Sequence, residues 1–133
     1  VTEQADEQGK MPIDWSQPLL MRGELKIVTD NRPFDRSMVD GRKKVAFSNE
    51  ILRGRNVVMR HWRQGDRFHP FGMRGSKLLS DLFVDLKLTS EQKKAVWLME
   101  ADGDIVWVLG YRAAQAYVVA PGSTDYVLLT YLC

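Results

Sequence analysis

The residues in this chain best placed to do chemistry are closely spaced cations. Residues 53–77 hold Arg53, Arg55, Arg60, Arg63, Arg67, Arg74 and Lys77 against one acid, Asp66, a local charge of +6 on 25 residues in a chain whose total is +2. The flanks lean the other way: residues 1–22 carry four acids and two bases, and residues 101–133 three acids and one base. Six of the seven cations are Arg. A guanidinium grips phosphate with two donors at once and stacks on a ring. Such a patch attracts a polyanion, nucleic acid first among them. A solvated charged surface gives the same pattern.

Around this cluster the glycine turn Gly72-Met73-Arg74-Gly75-Ser76-Lys77 resembles a phosphate loop at a glance, but its glycines are too close together for one. Backbone amides leading into a helix N-terminus, with Arg74 and Lys77 beside them, form an anion site. The alternative is that the glycines only make a tight strand-to-helix turn. Phe68, Phe71 and Met73 alternate with Arg67, His69 and Arg74. Exposed rings between cations suit base stacking, and rings packed under the loop suit a core. Asp81 and Asp85, at i and i+4, share a helix face and could work as an acid–base pair or simply meet solvent or a nearby cation. His61, His69 and Cys133 lack metal-ligand spacing, and His61 fits a strand face. No Ser-His-Asp set assembles, and no Ser-Gly-Gly pyrophosphate loop is present. No catalytic and no metal-binding residue is therefore assigned.

These residues need a platform. Gly23 to Asp30 alternates, with Leu25 and Ile27 on one face and Lys26 and Val28 on the other, which predicts a half-buried strand. Lys44–Ser48 and Asn56–Trp62 predict two more. In the latter Val57, Met59 and His61 face one way, and Val58, Arg60 and Trp62 the other. Gln64–Gly75 reads as loop. Ser76 fits an N-cap for an amphipathic helix of about three turns carrying Leu78, Leu79, Leu82, Phe83 and Leu86. Thr89-Ser90-Glu91-Gln92 fits a capping box for a second, short helix. Asp102-Gly103 is a type I′ turn signal within a hairpin from Ala95 to Gly110. Its register places Trp97, Met99, Val106 and Val108 on one face, and Val96, Leu98, Ile105, Trp107 and Leu109 on the other. Both faces are apolar, so the hairpin belongs between two layers. Tyr126–Leu132 predicts a last strand. Residues 1–22 read as a linker or flexible flank, with Ile13 and Trp15 able to dock, and residues 23–133 as one domain. The fold class is mainly β with a packed helix (α+β), a sandwich or irregular barrel.

Composition agrees with one globular domain: 133 residues, 44% apolar, 27% charged. No apolar run is long enough to span a bilayer. The first ten residues have neither a basic nor an apolar segment, so no signal peptide is expected. A single Cys suits a reducing, cytoplasmic location. The chain begins at Val1 without Met, as a piece of a longer polypeptide would.

The run Met59-Arg60-His61-Trp62-Arg63-Gln64-Gly65-Asp66-Arg67-Phe68-His69-Pro70-Phe71-Gly72-Met73-Arg74-Gly75-Ser76-Lys77 resembles the signature of the C-terminal domain of the tRNA(Ile)-lysidine synthase family. The likeness continues through Leu79-Ser80-Asp81, Phe83, Asp85 and Lys87, and again from Asp104 to Arg112, covering about residues 43–133. After Arg112 the family usually shows an acidic and then a basic residue before an aromatic, where this chain has Ala113-Ala114-Gln115-Ala116-Tyr117. The resemblance implies a layered β-sandwich of unusual topology, as in the β subunit of phenylalanyl-tRNA synthetase. It also implies a parent enzyme that uses ATP and magnesium to join lysine to the wobble cytidine of an isoleucine tRNA. In that parent the chemistry lies in an N-terminal catalytic domain, and the C-terminal domain holds the acceptor-stem end.

The expected function is then a tRNA-binding module with no cofactor of its own. A stem offers phosphates and 2′-hydroxyls more than readable base edges. Arg63, Arg67, Arg74 and Lys77 are the expected phosphate contacts, followed by Arg60, Lys87 and Arg112, the last able instead to brace Asp66 or Asp104. A second possibility is an interdomain module whose basic patch meets an acidic face of the parent. A third is a self-standing enzyme using Asp66, Asp81 or Asp85.

Overall fold

Alternating apolar residues build two antiparallel sheets, and one of them is buried on both faces. The computed structural model describes residues 11–12, 19–20, 23–30, 32–52 and 56–132. The first sheet orders β1 (Met11–Pro12), β5 (Val57–His61), β8 (Trp97–Ala101), β9 (Asp104–Val108) and β10 (Arg112–Ala113). The second orders β2 (Leu19–Leu20), β3 (Gly23–Asp30), β11 (Tyr126–Leu132) and β4 (Lys44–Ser48). A two-stranded ribbon pairs β6 (Arg67–Phe68) with β7 (Lys77–Leu78), ahead of the helices α1 (Leu79–Asp85) and α2 (Ser90–Ala95). Among the described residues the result is mainly β with two α-helices, an α+β fold.

Val45, Phe47, Val127 and Leu129 of the second sheet pack against Val57, Met59, Trp97, Met99 and Trp107 of the first. On the far face of the first sheet, Leu98, Ile105 and Val108 meet Leu79, Leu82 and Phe83 of α1 and Phe68 of the ribbon. Three layers follow: sheet, sheet, helices. The β8–β9 hairpin is the middle layer, so both its faces are apolar as expected.

The hairpin turn is as expected, with Asp102 at φ 50° and Gly103 at φ 92°. Its facing is not. A bulge between Met99 and Glu100 on the β8 side leaves Val106 unpaired, so Met99 stands opposite Trp107 and Leu98 opposite Val108. Side chains alternate with period two, so one extra residue exchanges faces for everything beyond it. Trp107 therefore joins Trp97 and Met99 between the sheets, and Val108 turns to the helices.

The first helix is shorter than its apolar pattern. Leu78 belongs to β7 and caps α1 without a side-chain hydrogen bond, while Ser76 Oγ accepts from Arg67 Nε at 2.9 Å. The helix ends where Lys87 N–H donates to Val84 O and Leu88 N–H to Phe83 O, both at 3.0 Å, with Lys87 at φ 56°. That is a Schellman ending with Lys in the position glycine favours. Ahead of α2 the Thr89–Gln92 capping box is formed in both directions.

Two pieces of the N-terminal flank are strands: Met11 pairs with Met59, and Leu19 with Glu24. Ile13, Trp15, Arg53, Arg55 and Cys133 lie outside the described residues.

Candidate nucleic-acid interface

The basic loop is organised as a ribbon anchored by a ring. Phe68 is 2% exposed and fills the helix-side core, fixing the base of the β6–β7 ribbon. Arg67 stands opposite Leu78, and Phe68 opposite Lys77. Alternation then puts Arg67 and Lys77 on opposite faces of the ribbon. Arg67 is exposed and braced by Ser76 Oγ. Lys77 forms an ion pair with Asp85 of α1, which ties the ribbon to the helix.

The ribbon tip carries Phe71, 44% exposed, Met73, 49% exposed, and an exposed Arg74. Gly72 and Gly75 sit at φ 80° and 74°, where a side chain would be strained. Gly72 N–H donates to Gln115 Oε1 at 2.9 Å and Met73 N–H to Pro70 O at 3.1 Å. Leu79, which begins α1, donates to Asp66 O at 2.9 Å. The amides of Gly72 and Met73 are therefore satisfied internally, and β7 intervenes between glycine turn and helix, so the turn does not lead directly into the helix N-terminus as expected. The turn is a ribbon tip that presents Arg74 and Phe71.

Arg60 needs a correction. It is 5% exposed and lies between two carboxylates, with Nε 3.0 Å from Glu100 Oε1 and Nη1 2.8 Å from Asp66 Oδ2. An interior guanidinium held this way is a brace, not a phosphate contact. Asp66 also accepts the Arg63 amide at 2.8 Å, so the pair fixes the chain entering the ribbon. Burial pushes the Asp66 carboxyl up, but the Arg60 guanidinium and the Arg63 amide outweigh it and hold the group below its ordinary value. For Arg60 burial acts to lower the pKa, and the two carboxylates raise it above its ordinary value. Arg112 braces neither Asp66 nor Asp104 through any bond found among the described residues. Its Nη2 donates to Phe71 O at 3.2 Å and supports the tip.

Of the remaining expected contacts, Arg63 and Lys87 are exposed. Lys87 lies at the end of α1, away from the tip in sequence and element. Asp85 is engaged by Lys77, and Asp81 is exposed. Asp66 is engaged by Arg60. A polar cleft of about 390 Å³ lies under the ribbon between Arg67, His69, Ser76 and Asp104. Among the described residues no three His, Cys, Asp or Glu side chains gather as metal ligands would, and no helix is long and apolar enough to cross a membrane.

Sequence reasoning missed one basic element. Arg42, Lys43 and Lys44 are exposed and form no ion pair among the described residues. Asp40 Oδ1 accepts all three of their amides at 2.8–2.9 Å. Desolvation raises the Asp40 carboxyl, but these backbone bonds from Lys44, Arg42 and Lys43 prevail and lower it. Trp107 Nε1 donates to Arg42 O at 2.8 Å, pinning this loop to the core. Ala113 links it to the ribbon: its N–H donates to Gly41 O at 2.8 Å, and its carbonyl accepts from Phe71 N–H at 3.1 Å. The loop and the tip are thus two strand spacings apart, about 10 Å. The signal was present as three consecutive cations after a glycine, but nothing in the sequence joined them to Arg74.

Comparison with known proteins supplies the family. The model of the TilS substrate C-terminal domain matches residues 57–129. tRNA(Ile)-lysidine synthase of Persephonella marina is 38% identical over 80 residues, covering 60% of this chain and 18% of that protein. The Parabacteroides distasonis protein of the same name is 28% identical over 116 residues, covering 87% of this chain and 25% of that protein. The chain spans a quarter or less of the length of these relatives. A solved structure described as the crystal structure of TILS C-terminal domain superposes with TM-score 0.66 at 21% identity, over 97% of this chain and 88% of that one. That likeness gives the fold. With more than half its residues matched by the family model, including the whole ribbon, this chain belongs to the TilS C-terminal domain family.

Proposed function

We propose that this domain holds the acceptor-stem end of an isoleucine tRNA while a catalytic domain elsewhere in the polypeptide joins lysine to the wobble cytidine, using ATP and magnesium. The domain itself carries out no bond-making step and takes no cofactor. Its partners are the tRNA and that catalytic domain, and its setting is the cytoplasm. The observation that carries the reading is the exposed pair Arg67 and Arg74 on a ribbon fixed by a buried ring and a buried ion pair. Rigid cations on a core-anchored arm suit a rail of phosphates. Arg63 extends the patch, and Arg42–Lys44 widens it. Lys77 contributes less, because Asp85 already partners it.

Charge reversal tests the reading. Arg67→Glu with Arg74→Glu should weaken tRNA binding by the full enzyme and leave the circular dichroism of this domain unchanged. With about four phosphates neutralised, log affinity should fall against log salt with a slope of roughly −3 to −4. An affinity indifferent to salt would sink the proposal.

A specific observation favours a second reading. Val84 is 67% exposed and Leu86 38% exposed at the outer side of α1, as an interdomain contact would require. A domain that bound the separate catalytic domain but no tRNA would make this the main function.

A further inference from the structure

Beside the ribbon tip lies an apolar groove of about 340 Å³, and we infer that it seats an unpaired nucleotide at the end of the RNA stem. This deepens the proposed function and rests on it for the class of ligand. Its lining includes Phe71, the alanines at 113, 114 and 116, Gly41, Arg36 and Asp40. The alanines make the space, because larger side chains at those positions would project into it. The volume falls within the range of ligand pockets.

Charge decides the occupant. Arg36 lines the groove, Arg42, Lys43 and Lys44 follow its lining residue Gly41 in the chain, Arg74 shares the ribbon tip with its lining residue Phe71, and none of the five forms an ion pair among the described residues. The two acids nearby face their own backbone: Asp35 accepts from Ser37 N–H at 3.0 Å, and Asp40 accepts three amides. An apolar peptide segment would have no use for five exposed cations. A nucleotide uses both features. Its base offers a π-face to Phe71 and the methyl-lined wall, and its flanking phosphates meet the cations. A duplex cannot enter, since its base faces are stacked inside it. The occupant is therefore unpaired and adjoins the stem held by Arg67 and Arg74, as the two backbone bonds, Phe71 N–H to Ala113 O and Ala113 N–H to Gly41 O, place groove and ribbon side by side.

The test uses this chain and three RNA probes: a blunt stem, the same stem with an unpaired 3′ extension, and the extension alone. The extension should tighten stem binding on the order of tenfold, the scale of one stacked base. It should also move the amide NMR signals of Phe71, Ala113 and Ala116. Ala120→Trp at the exposed rim, and Ala116→Phe within, should erase that gain while leaving blunt-stem affinity unchanged. Equal affinity for blunt and extended stems overturns the inference and leaves the stem reading intact. Groove signals moved by the extension alone, with no binding of the blunt stem, support the inference and remove the stem reading. Groove signals that respond to the separate catalytic domain and to no RNA overturn it in favour of a protein occupant.

Discussion

Arg60 and Asp66 form a two-pronged pair, Nη1 to Oδ2 at 2.8 Å and Nη2 to Oδ1 at 3.0 Å, with side chains 6% and 14% exposed. The pair closes the entry to the ribbon, and Glu100 holds Arg60 from the far side at 3.0 Å. Removing Asp66 leaves the Arg60 charge answered by Glu100 but two of its guanidinium donors without their acceptor. Asp66→Ala should lower unfolding free energy by about 1–3 kcal/mol, read from urea denaturation. The same variant should weaken tRNA binding, because Arg67 follows Asp66 directly. An unchanged denaturation midpoint would show the brace to be idle.

Acid should act through the same pair. The folded-state pKa of Asp66 lies below its ordinary value, so its contribution is present above the unfolded pKa and is lost as pH falls through the folded one. Asp40, also lowered, acts in the same direction. Stability should decline below about pH 4. Asp66→Asn should be less stable than the parent at neutral pH and flatten that decline. Denaturation midpoints at neutral and acid pH give the comparison.

Lys87 occupies a left-handed position at φ 56°. Lys87→Gly should stabilise the domain by about 1 kcal/mol, a rise of a few degrees in Tm. It removes a cation at the same time. Since Lys87 lies at the end of α1 and not on the ribbon, tRNA affinity should change little. A large loss of affinity in a more stable variant would bring Lys87 back as a contact.

Neighbouring cations should differ in their effect on salt dependence. Arg74→Gln should reduce the slope of log affinity against log salt by about one. Lys77→Gln should reduce it by less, because the Lys77 charge is already answered by Asp85. Lys77→Gln should also loosen the ribbon from α1, visible as faster amide exchange at Lys77 and Leu78. Equal slopes for the two variants would remove the distinction between presented and paired cations.

Local patterns in the sequence were sufficient for much of the fold. The apolar faces of Ala95–Gly110 required a middle layer, Asp102-Gly103 set the turn, and Thr89–Gln92 set the cap, because each depends on residues within a few positions of one another. The ladder of Gly23–Asp30 against Tyr126–Leu132 brings together strands whose alternation was visible but whose pairing was not. The basic run was equally plain, and so was its likeness to the family. Local pattern could not say which cations are presented. Arg60 turns inward because Glu100, 40 residues away, waits on the neighbouring strand. The bulge at Val106 reverses Trp107 and Val108, since packing between sheets outweighs the simple register. Arg42–Lys44 joins the tip of the ribbon only through the backbone of Ala113. Composition and periodicity thus determined the layers and the charge. The exposure of each charge was settled by contacts between distant segments, where burial makes an unpaired ion costly and so selects its partner.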